Sequence, residues 1–250
     1  MMQVVLKAKD VTKAYKRQGN PALNRVSFEA KEGEFLGIMG ASGSGKTTLL
    51  NVLSTIDRPD QGDIFIHNIN VPRLNQAQAA DFRKRNLGFI FQEYFLLDSL
   101  TVRENIAVPL TLLHWPAKEI EKETEALAEA FEISSQLEKY PSELSGGQCQ
   151  RAAAARAMVK HPPLIFADEP TGALDSGSSR ELMTALANMN QRSGTTILMV
   201  THDPYAASYT DRILYFKDGC ISGALERNGQ ERGDFYECIL RETARQDRKR

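Results

Sequence analysis

Cysteine is scarce in this chain. Cys149, Cys220 and Cys238 are far apart among 250 residues, their number is odd, and no two of them have a C-x-x-C spacing. Disulfide frameworks and zinc sites need paired or closely spaced cysteines. We therefore expect three reduced thiols that have no shared role.

Long apolar runs are also lacking. The longest candidates, such as residues 197–200, suit buried strands and fall far short of the roughly 18 residues of a membrane span. Residues 1–7 contain only a short apolar stretch and no small-residue cleavage site, unlike a signal peptide. These absences predict a chain that stays in the cytoplasm and does not itself cross a bilayer.

Neither sign of charge is in excess. The 31 Lys and Arg residues nearly balance 32 Asp and Glu residues, which gives a formal net charge of -1. No global basic field would attract nucleic acid or anionic lipid, so we expect no nucleic acid partner. A hydrophobic content of 42% indicates an ordinary globular protein with one large or two small domains.

The most specific motif is a glycine-rich loop that fits the pattern G-x-x-x-x-G-K-[ST]. It consists of Gly40, Ala41, Ser42, Gly43, Ser44, Gly45, Lys46 and Thr47, and Thr48 follows it. A strand-like run precedes the loop and a helix-like run follows it, which is the required context. Glycines let backbone N–H groups approach phosphate oxygens, Lys46 adds a mobile charge, and the Thr47 hydroxyl is placed to ligate Mg²⁺. The motif predicts a nucleoside triphosphate site; a glycine-rich turn without nucleotide is the alternative.

Two carboxylates, Asp168 and Glu169, end the apolar run 164–167. Ligand sites of parallel sheets lie at the carboxyl ends of strands, so both acids should face the phosphate loop. Asp168 would then hold Mg²⁺, and Glu169 would orient and deprotonate the attacking water. A simple turn-initiating aspartate is the alternative, although the Glu-Pro pair that follows makes it a poorer account.

The order of periodic segments predicts an α/β fold. Segments 3–12 and 22–30 alternate like antiparallel strands around a turn at 19–21, and residues 102–140 are mostly helical after a capping pattern at 101–104. From 146 to 216, helices (146–160, 176–191) alternate with strands (164–167, 195–200, 212–216), after earlier strands at 62–66 and 87–91. We predict a β-subdomain and catalytic core at about 1–92 and 146–225, a helical subdomain at about 93–145, and a charged tail, helical or frayed, at about 232–250.

Several motifs together resemble an ABC-type ATPase in their order along nearly the whole chain. They are the loop at 40–47, Gln92, Leu144–Gln148, Asp168–Glu169, Ala173–Asp175 and His202. The resemblance implies a P-loop NTPase fold of ABC type, in which a RecA-like core sheet carries an antiparallel β-subdomain and a helical subdomain. It also implies hydrolysis of ATP with Mg²⁺.

The resemblance further implies a head-to-tail homodimer that sandwiches two ATP molecules. A signature of Ser145, Gly146, Gly147 and Gln148 in one copy would bind the nucleotide held by the phosphate loop of the other copy. The backbone N–H groups that open a helix there would form an anion-binding end. In isolation, Ser145 is an ordinary helix N-cap, and it can serve both roles.

The same resemblance implies roles for four other residues. Tyr15 would stack on adenine, Gln92 would sense Mg²⁺ and the attacking water, and His202 would contact the γ-phosphate. Asp175 would contact the facing subunit. Considered alone, Tyr15 would be a packed strand residue and Asp175 a helix N-cap.

Longer runs resemble one subgroup more narrowly: the ATP-binding subunits of bacterial peptide-antibiotic detoxification transporters of the bacitracin type, related to the lipoprotein-release and macrolide-export branch. These runs are residues 39–57, 88–98, 166–176 and 200–208. Cys149 departs from the polar or charged residue usual after the signature, and would add thiol sensitivity near the ATP site.

The subgroup resemblance implies a separate membrane permease as partner, which would hold the chain at the cytoplasmic face of the membrane. The permease would dock near Gln92–Leu97, although such an aromatic cluster is also typical of a core. A signalling complex that regulates a sensor kinase or a cell-wall hydrolase is an alternative to transport. An ABC-type ATPase of DNA repair or translation is disfavoured, because the chain has one cassette and no long coiled-coil insertion.

Overall fold

The computed structural model describes residues 3–15 and 21–248. The strands are β1 (Val4–Lys13), β2 (Leu23–Lys31), β3 (Phe35–Met39), β4 (Gln61–Ile66), β5 (Ile69–Asn70), β6 (Leu87–Ile90), β7 (Leu164–Asp168), β8 (Thr196–Thr201), β9 (Arg212–Lys217) and β10 (Cys220–Glu226). The helices are α1 (Lys46–Leu53), α2 (Gln76–Asn86), α3 (Val102–Leu112), α4 (Ala117–Ala130), α5 (Gly146–Met158), α6 (Ser176–Ser193), α7 (Pro204–Ala207) and α8 (Arg232–Arg248). Within the described ranges, no helix is both long and apolar enough to cross a membrane.

The chain divides into two compact units. The first unit comprises residues 1–73 and 198–250, and the second comprises residues 74–197. The predicted division into a catalytic core, a helical subdomain and a tail rests on sequence motifs rather than on compactness. It stays a prediction.

The first unit contains the antiparallel sheet expected from the alternating segments. Its strand order is β2-β1-β4-β5, with Ala8 of β1 opposite Phe28 of β2 and Ile64 of β4. The side chains of β2 are buried at alternate positions from Val26 to Ala30, as the pattern predicted, whereas β1 buries Val5 and Leu6 in succession and departs from strict alternation. Most of the predicted turn at 19–21 lies outside the described residues.

The strand that leads into the phosphate loop belongs to the first unit. All five residues of β3 are buried, and β3 runs parallel to β9, with Met39 opposite Tyr215. Its start is fixed by Asp211, whose Oδ2 accepts a 2.8 Å hydrogen bond from the Phe35 backbone N–H. Arg212 adds a 2.8 Å ion pair to Glu34. These contacts hold the strand, and therefore the position at which the loop begins.

The second unit places α5 against a two-stranded parallel pair. Strand β6 pairs with β7 in the register Leu87 to Leu164 and Ile90 to Ala167. Helix α5 packs against α3, α6 and β6. Its Ala152–Ala155 run is fully buried, because small side chains let neighbouring elements approach closely.

Four elements were not predicted from the sequence: α2, β5, α7 and β10. Helix α2 buries only Ala79 and Phe82, so its apolar periodicity is weak, although Asn75 and Gln78 form a capping box at its start. Strand β10 returns along β9 after Asp218 and Gly219, which both have positive φ. The hairpin of β9 and β10 was therefore not foreseen, although it ends close to the predicted core boundary at about 225. The tail is helical to Arg248.

Candidate nucleotide-binding site

The glycine-rich loop joins β3 to α1, as the motif predicted. A Cβ atom at Gly40 would lie 2.1 Å from the backbone oxygen of Phe216, so no larger residue fits between the loop and β9. Gly45 has a φ of 104°, in the left-handed region that glycine adopts without strain. The loop conformation therefore requires glycine at these two positions.

The first turn of α1 has features that suit an anion. Its N-cap is Gly45, no side chain among the described residues caps it, and its first turn carries no acidic residue. The backbone N–H groups and the positive end of the dipole at a helix start of this kind favour phosphate oxygens. The buried Ser44 Oγ has no hydrogen-bond partner among the described residues. A triphosphate would supply an acceptor for the Ser44 hydroxyl.

Lys46 is held inside the loop that it follows. Its side chain is buried, and Nζ donates hydrogen bonds of 2.8 Å to the Gly40 oxygen and 3.0 Å to the Ala41 oxygen. The ammonium group is thereby kept next to the loop amides. This is where a β- or γ-phosphate would sit if the loop binds nucleotide.

His202 shares a pocket with the phosphate loop. The pocket has a volume of about 500 Å³ and lies wholly in the first unit. Its lining includes the loop from Gly40 to Ser44, His202, Tyr215 and Ser222, and Thr243 and Gln246 of α8. The structure therefore brings His202, the residue after β8, to the same pocket as the loop 40–44, while its contact with a γ-phosphate stays a prediction. The lining by α8 was not predicted.

Tyr15 lies two residues beyond β1 and is 39% exposed, so it is not the packed strand residue of the alternative interpretation. Its hydroxyl donates a 2.8 Å hydrogen bond to Asp57 Oδ2. Lys13 Nζ lies 5.2 Å from the ring centroid and donates a 2.8 Å bond to Asp57 Oδ1. Burial and the Asp57 carboxylate raise the pKa of Tyr15. The ring is thus held in one orientation while part of it stays open to solvent.

Gln92, Asp168 and Glu169 lie together in the second unit. Asp168 ends strand β7 and Glu169 follows it, and Gln92 lies two residues after the neighbouring parallel strand β6. The Gln92 amide lies over the turn after Glu169, since a Cβ at Gly172 would be 3.1 Å from Gln92 Cδ. Glu169 has a φ of 46°, which is uncommon for a residue other than glycine. Strained backbone of this kind is typical of functional sites.

The signature opens α5. Ser145 is the N-cap, its Oγ accepts a 3.3 Å hydrogen bond from the Gln148 N–H, and Gln148 Oε1 accepts a 3.0 Å bond from the Ser145 N–H. The N-cap interpretation of Ser145 is therefore confirmed. Ser145 and Gly146 are exposed at this helix end. Since Ser145 Oγ acts here as an acceptor, its own proton can still be donated to an anion.

Asp175 is the N-cap of α6, which is the role predicted for this residue when it is considered without the family resemblance. Its Oδ1 accepts hydrogen bonds from the backbone N–H groups of Gly177 and Ser178, and the Ser178 hydroxyl donates 2.7 Å to Oδ2. The bonds to Ser178 lower the pKa of Asp175. A Cβ at Gly147 would lie 2.5 Å from Ser178 Oγ. The start of the signature helix and the start of α6 are thus in contact.

Gln150 is a buried residue of this site that sequence reasoning missed. Its Nε2 donates to the oxygen of Phe91, which precedes Gln92, at 3.0 Å, and to the oxygen of Pro170, which follows Glu169, at 2.7 Å. One side chain of α5 therefore joins the two loops that carry Gln92 and Glu169. A glutamine two positions after the signature gives no sign of this in the sequence.

The residues predicted to hold Mg²⁺ offer oxygen donors. Thr47 of the first unit has a hydroxyl, and Gln92 and Asp168 of the second unit have an amide oxygen and a carboxylate. Mg²⁺ prefers oxygen ligands, of which phosphates and waters supply several. The donor chemistry fits this ion. No cluster of three or more His, Cys, Asp or Glu side chains suited to a metal occurs in residues 3–15 and 21–248.

Residues 23–172 match the family model described as "ABC transporter". The bacitracin export ATP-binding protein BceA of Halalkalibacterium halodurans is 47% identical over 95% of this chain and 94% of its own length. The lipoprotein-releasing system ATP-binding protein LolD of Aquifex aeolicus is 40% identical over 90% of this chain and all of its own length.

A solved structure of the ATP-binding cassette MJ0796 of Methanocaldococcus jannaschii is also similar. It is 38% identical, covers 88% of this chain and 98% of its own chain, and has a TM-score of 0.82. That protein was captured as a dimer in a post-hydrolysis state with ADP and Pi. The likeness therefore extends from motifs to the three-dimensional fold.

Proposed function

The chain belongs to the ABC transporter family and is an ATP-hydrolysing subunit of that family, and we propose that it powers a separate membrane permease in peptide-antibiotic resistance of the bacitracin type. The observation that carries the proposal is the 47% identity to BceA over nearly the full length of both chains. The loop at 40–47 supports the ATP-binding step, because the first turn of α1 carries no acidic residue and the buried Ser44 hydroxyl faces no hydrogen-bond partner among the described residues.

We assign the hydrolytic step to the motif residues. Lys46 and the loop N–H groups would hold the β- and γ-phosphates, and His202 would contact the γ-phosphate. Glu169 would orient the attacking water and accept its proton. Tyr15 would stack on the adenine base, a contact available to any base because each has a π-face.

A magnesium ion would assist this step. Thr47 and Asp168 would hold it, and Gln92 would sense both the ion and the attacking water. The ion's chemical contribution is to neutralise charge on the phosphate oxygens. Gln92 is suited to report on that region, since its amide lies over the turn after Glu169.

We propose that two copies pair head to tail. The signature of one copy, Ser145 to Gln148, would bind the phosphates held by the phosphate loop of the other copy. Each ATP site would therefore consist of residues 40–48 of one copy and the signature of its partner. The exposed N-terminus of α5 supports this role, since it directs N–H groups outward. Asp175 would contact the facing copy from the start of α6. The dimeric state of the similar cassette MJ0796 is consistent with this arrangement.

The permease would dock on the segment after Gln92. Phe95 is 57% exposed and Leu97 is 49% exposed, so this aromatic cluster is not wholly core. Arg156 holds the segment by donating to the oxygens of Tyr94 and Phe95 at 2.8 and 2.6 Å. Docked in this way, the chain would be a peripheral protein on the cytoplasmic face of the membrane. The permease would connect the chain to a sensor kinase.

Lipoprotein release or macrolide export is the second candidate, which the 40% identity to LolD favours. A signalling complex that regulates a kinase or a cell-wall hydrolase would use the same ATPase residues. The cargo is determined by the permease, so these candidates differ in the partner rather than in the site described above.

The test uses cells whose own copy is deleted and replaced by wild-type chain, Glu169→Gln or Lys46→Ala. Glu169→Gln should retain ATP binding and lose most hydrolysis, whereas Lys46→Ala should lose binding. Glu237→Gln, the same change at an exposed ion pair of α8, is the matched control. ATPase rate, nucleotide binding and susceptibility to bacitracin are measured on each strain.

Hypersensitivity to bacitracin in both site variants, with Glu237→Gln like wild type, would support the proposed function. Equal susceptibility in all strains, with hydrolysis lost in Glu169→Gln, would reject antibiotic resistance and favour lipoprotein release or signalling. Unchanged ATP turnover in Glu169→Gln would refute the role given to this carboxylate.

A further inference from the structure

His202 lies just before Asp203, the N-cap of the short helix α7, and hydrogen bonds fix the chain on both sides of it. Asp203 Oδ1 accepts a 2.8 Å hydrogen bond from the Tyr205 N–H and so caps α7, and the Asp203 N–H donates 3.0 Å to Thr201 Oγ1. The residues on both sides of His202 are therefore fixed by hydrogen bonds. Any contact that moves α7 would move His202 with it.

Arg232, the first residue of α8, lies over two aromatic rings at α7. Its guanidinium carbon is 5.2 Å from the centroid of Tyr205 and 4.6 Å from that of Tyr209. The two rings contact each other edge to face at 5.6 Å, and their hydroxyls are 3.0 Å apart. A guanidinium cation is attracted electrostatically to the negative face of an aromatic ring. We call Arg232, Tyr205 and Tyr209 the arginine clamp.

A hydrogen bond reinforces the clamp. Arg232 Nη1 donates 3.4 Å to the Ser208 hydroxyl, which in turn donates 2.7 Å to the Tyr205 oxygen. The Arg232 contacts thus reach both the side chains and the backbone of the segment that follows His202. One cation at the start of α8 fixes a stretch of chain that is distant in sequence.

The apolar face of α8 extends the same support to the phosphate loop. Phe235 and Ile239 are fully buried in a cluster with Ala207 of α7 and Met39, the last residue of β3. Gly40 follows Met39 directly. Helix α8 therefore packs both against the segment after His202 and against the residue before the loop, and His202, Met39 and the loop line the 500 Å³ pocket.

We propose that Arg232 is a positioning residue for ATP hydrolysis, which acts through α7 to hold His202 towards the γ-phosphate side of the phosphate loop. The inference rests on the role of His202 in the proposed function. Arg232 lines none of the pocket and touches no reacting atom in this account. Its effect should appear in the rate of the chemical step, while the binding of ATP, assigned to the phosphate loop and Tyr15, should not depend on Arg232.

The test compares steady-state ATPase kinetics of the full chain with those of Arg232→Ala and Arg232→Lys. Arg232→Ala should lower kcat by about 3- to 30-fold and leave the KM for ATP within about twofold. Arg232→Lys keeps a cation over the rings and should recover part of the rate. Arg241→Ala, which removes an exposed ion pair from the same helix, is the control and should keep the wild-type rate.

A double variant separates positioning from loss of stability. In a His202→Ala background, Arg232→Ala should cause no further loss of kcat, because the residue it positions is gone. Multiplied losses in the double variant, or a fall in ATP binding equal to the fall in kcat, would overturn the inference. If His202→Ala alone leaves kcat unchanged, the role of His202 in the proposed function fails instead. Unchanged kcat in Arg232→Ala, with a reduced kcat in His202→Ala, would reject the clamp alone.

Discussion

Gln150 Nε2 donates a 2.7 Å hydrogen bond to the backbone oxygen of Pro170, in a part of the second unit where no atom of the Gln150 side chain reaches solvent. Since the same nitrogen also donates to Phe91, one amide sets the spacing of two loops. The loops carry Gln92 and Glu169. The signature helix is thereby tied to the residues proposed to handle the attacking water.

Replacing Gln150 by leucine should lower both stability and ATPase rate. Two buried carbonyl oxygens would lose their donor, which costs about 2–4 kcal/mol of unfolding free energy. The loops would then be free to shift, and kcat should fall by about tenfold or more. Urea denaturation and ATPase kinetics measure the two effects. Gln191→Leu, at an exposed position of α6, is the control, and a wild-type kcat in Gln150→Leu would contradict the coupling.

The contact between Tyr15 and Asp57 predicts that replacing either residue lowers nucleotide affinity, and that replacing Tyr15 lowers it more. Tyr15→Ala removes the ring and should weaken ATP binding by about 10- to 100-fold, the range expected for loss of one stacked base contact. Asp57→Ala keeps the ring but removes the acceptor of its hydroxyl proton, so we expect a smaller loss of about 3- to 10-fold.

Titration with a fluorescent ATP analogue measures both affinities. Asp81→Ala, which removes an exposed carboxylate paired with Lys84 and Arg85, controls for the change in charge. Equal affinities of wild type and Tyr15→Ala would reject the adenine platform. Equal affinities of wild type and Asp57→Ala, with Tyr15→Ala impaired, would reject only the orienting role of Asp57.

Lys160 predicts a pH-dependent contribution to stability. Its Nζ donates to the oxygens of Arg83 and Lys84 near the end of α2, and burial lowers its pKa from 10.5 to about 8. Between these two values the unfolded chain binds a proton that the folded chain does not. The contribution of Lys160 therefore rises with pH through this window and is smallest below about pH 8.

Denaturation of wild type and Lys160→Met at about pH 7.5 and about pH 9.5 tests this sign, with an expected change in their stability difference of about 1–2 kcal/mol after allowance for solvent screening. Lys118→Met, at an exposed position on α4, controls for loss of a positive charge. A stability of wild type, relative to that of Lys160→Met, that stays constant or falls with rising pH would contradict the prediction.

Cys149 should react slowly with thiol reagents. It is 8% exposed, its Sγ lies 3.6 Å from the Pro141 oxygen, and burial raises the pKa of the thiol. The thiolate is the nucleophile, so iodoacetamide at neutral pH should modify the partly exposed Cys220 and Cys238 first.

Peptide mass spectrometry over time gives the order of modification, and the ATPase rate measured on the same samples shows its effect. A Cys149→Ala variant separates loss of activity through Cys149 from loss through the other two thiols. Rapid alkylation of Cys149 together with loss of ATPase activity would restore the thiol sensitivity expected from its place after the signature.

The features that the sequence predicted well are local ones. The phosphate loop depends on a run of eight residues, and the caps Ser145 and Asp175 bond to N–H groups within three residues of themselves. Such interactions can be inferred from spacing alone. The antiparallel pairing of β1 and β2 was predictable for the same reason, since alternation fixes which side chains are buried.

The features that were missed depend on contacts between distant parts of the chain. Gln150 bonds to a residue 59 positions away, and Arg156 to one 62 positions away. The arginine clamp joins the start of α8 to rings more than twenty positions earlier. No residue type signals such a pairing, because glutamine and arginine are as common on surfaces as in buried networks. Helix α2 was missed because it has only two buried side chains.

In the proposed site, the hydrogen bonds that Lys46 makes to Gly40 and Ala41 would make nucleotide enter by exchange. The ammonium group already has acceptors, so ATP must replace two internal bonds before it gains its own, and the affinity is the difference between the two sets. The net gain from Lys46 is therefore smaller than it would be for an ammonium group without acceptors, and the occupancy of the loop depends on the concentration of ATP. The loop can therefore follow the cellular supply of ATP, filling when the supply is high and keeping its fold when the supply falls.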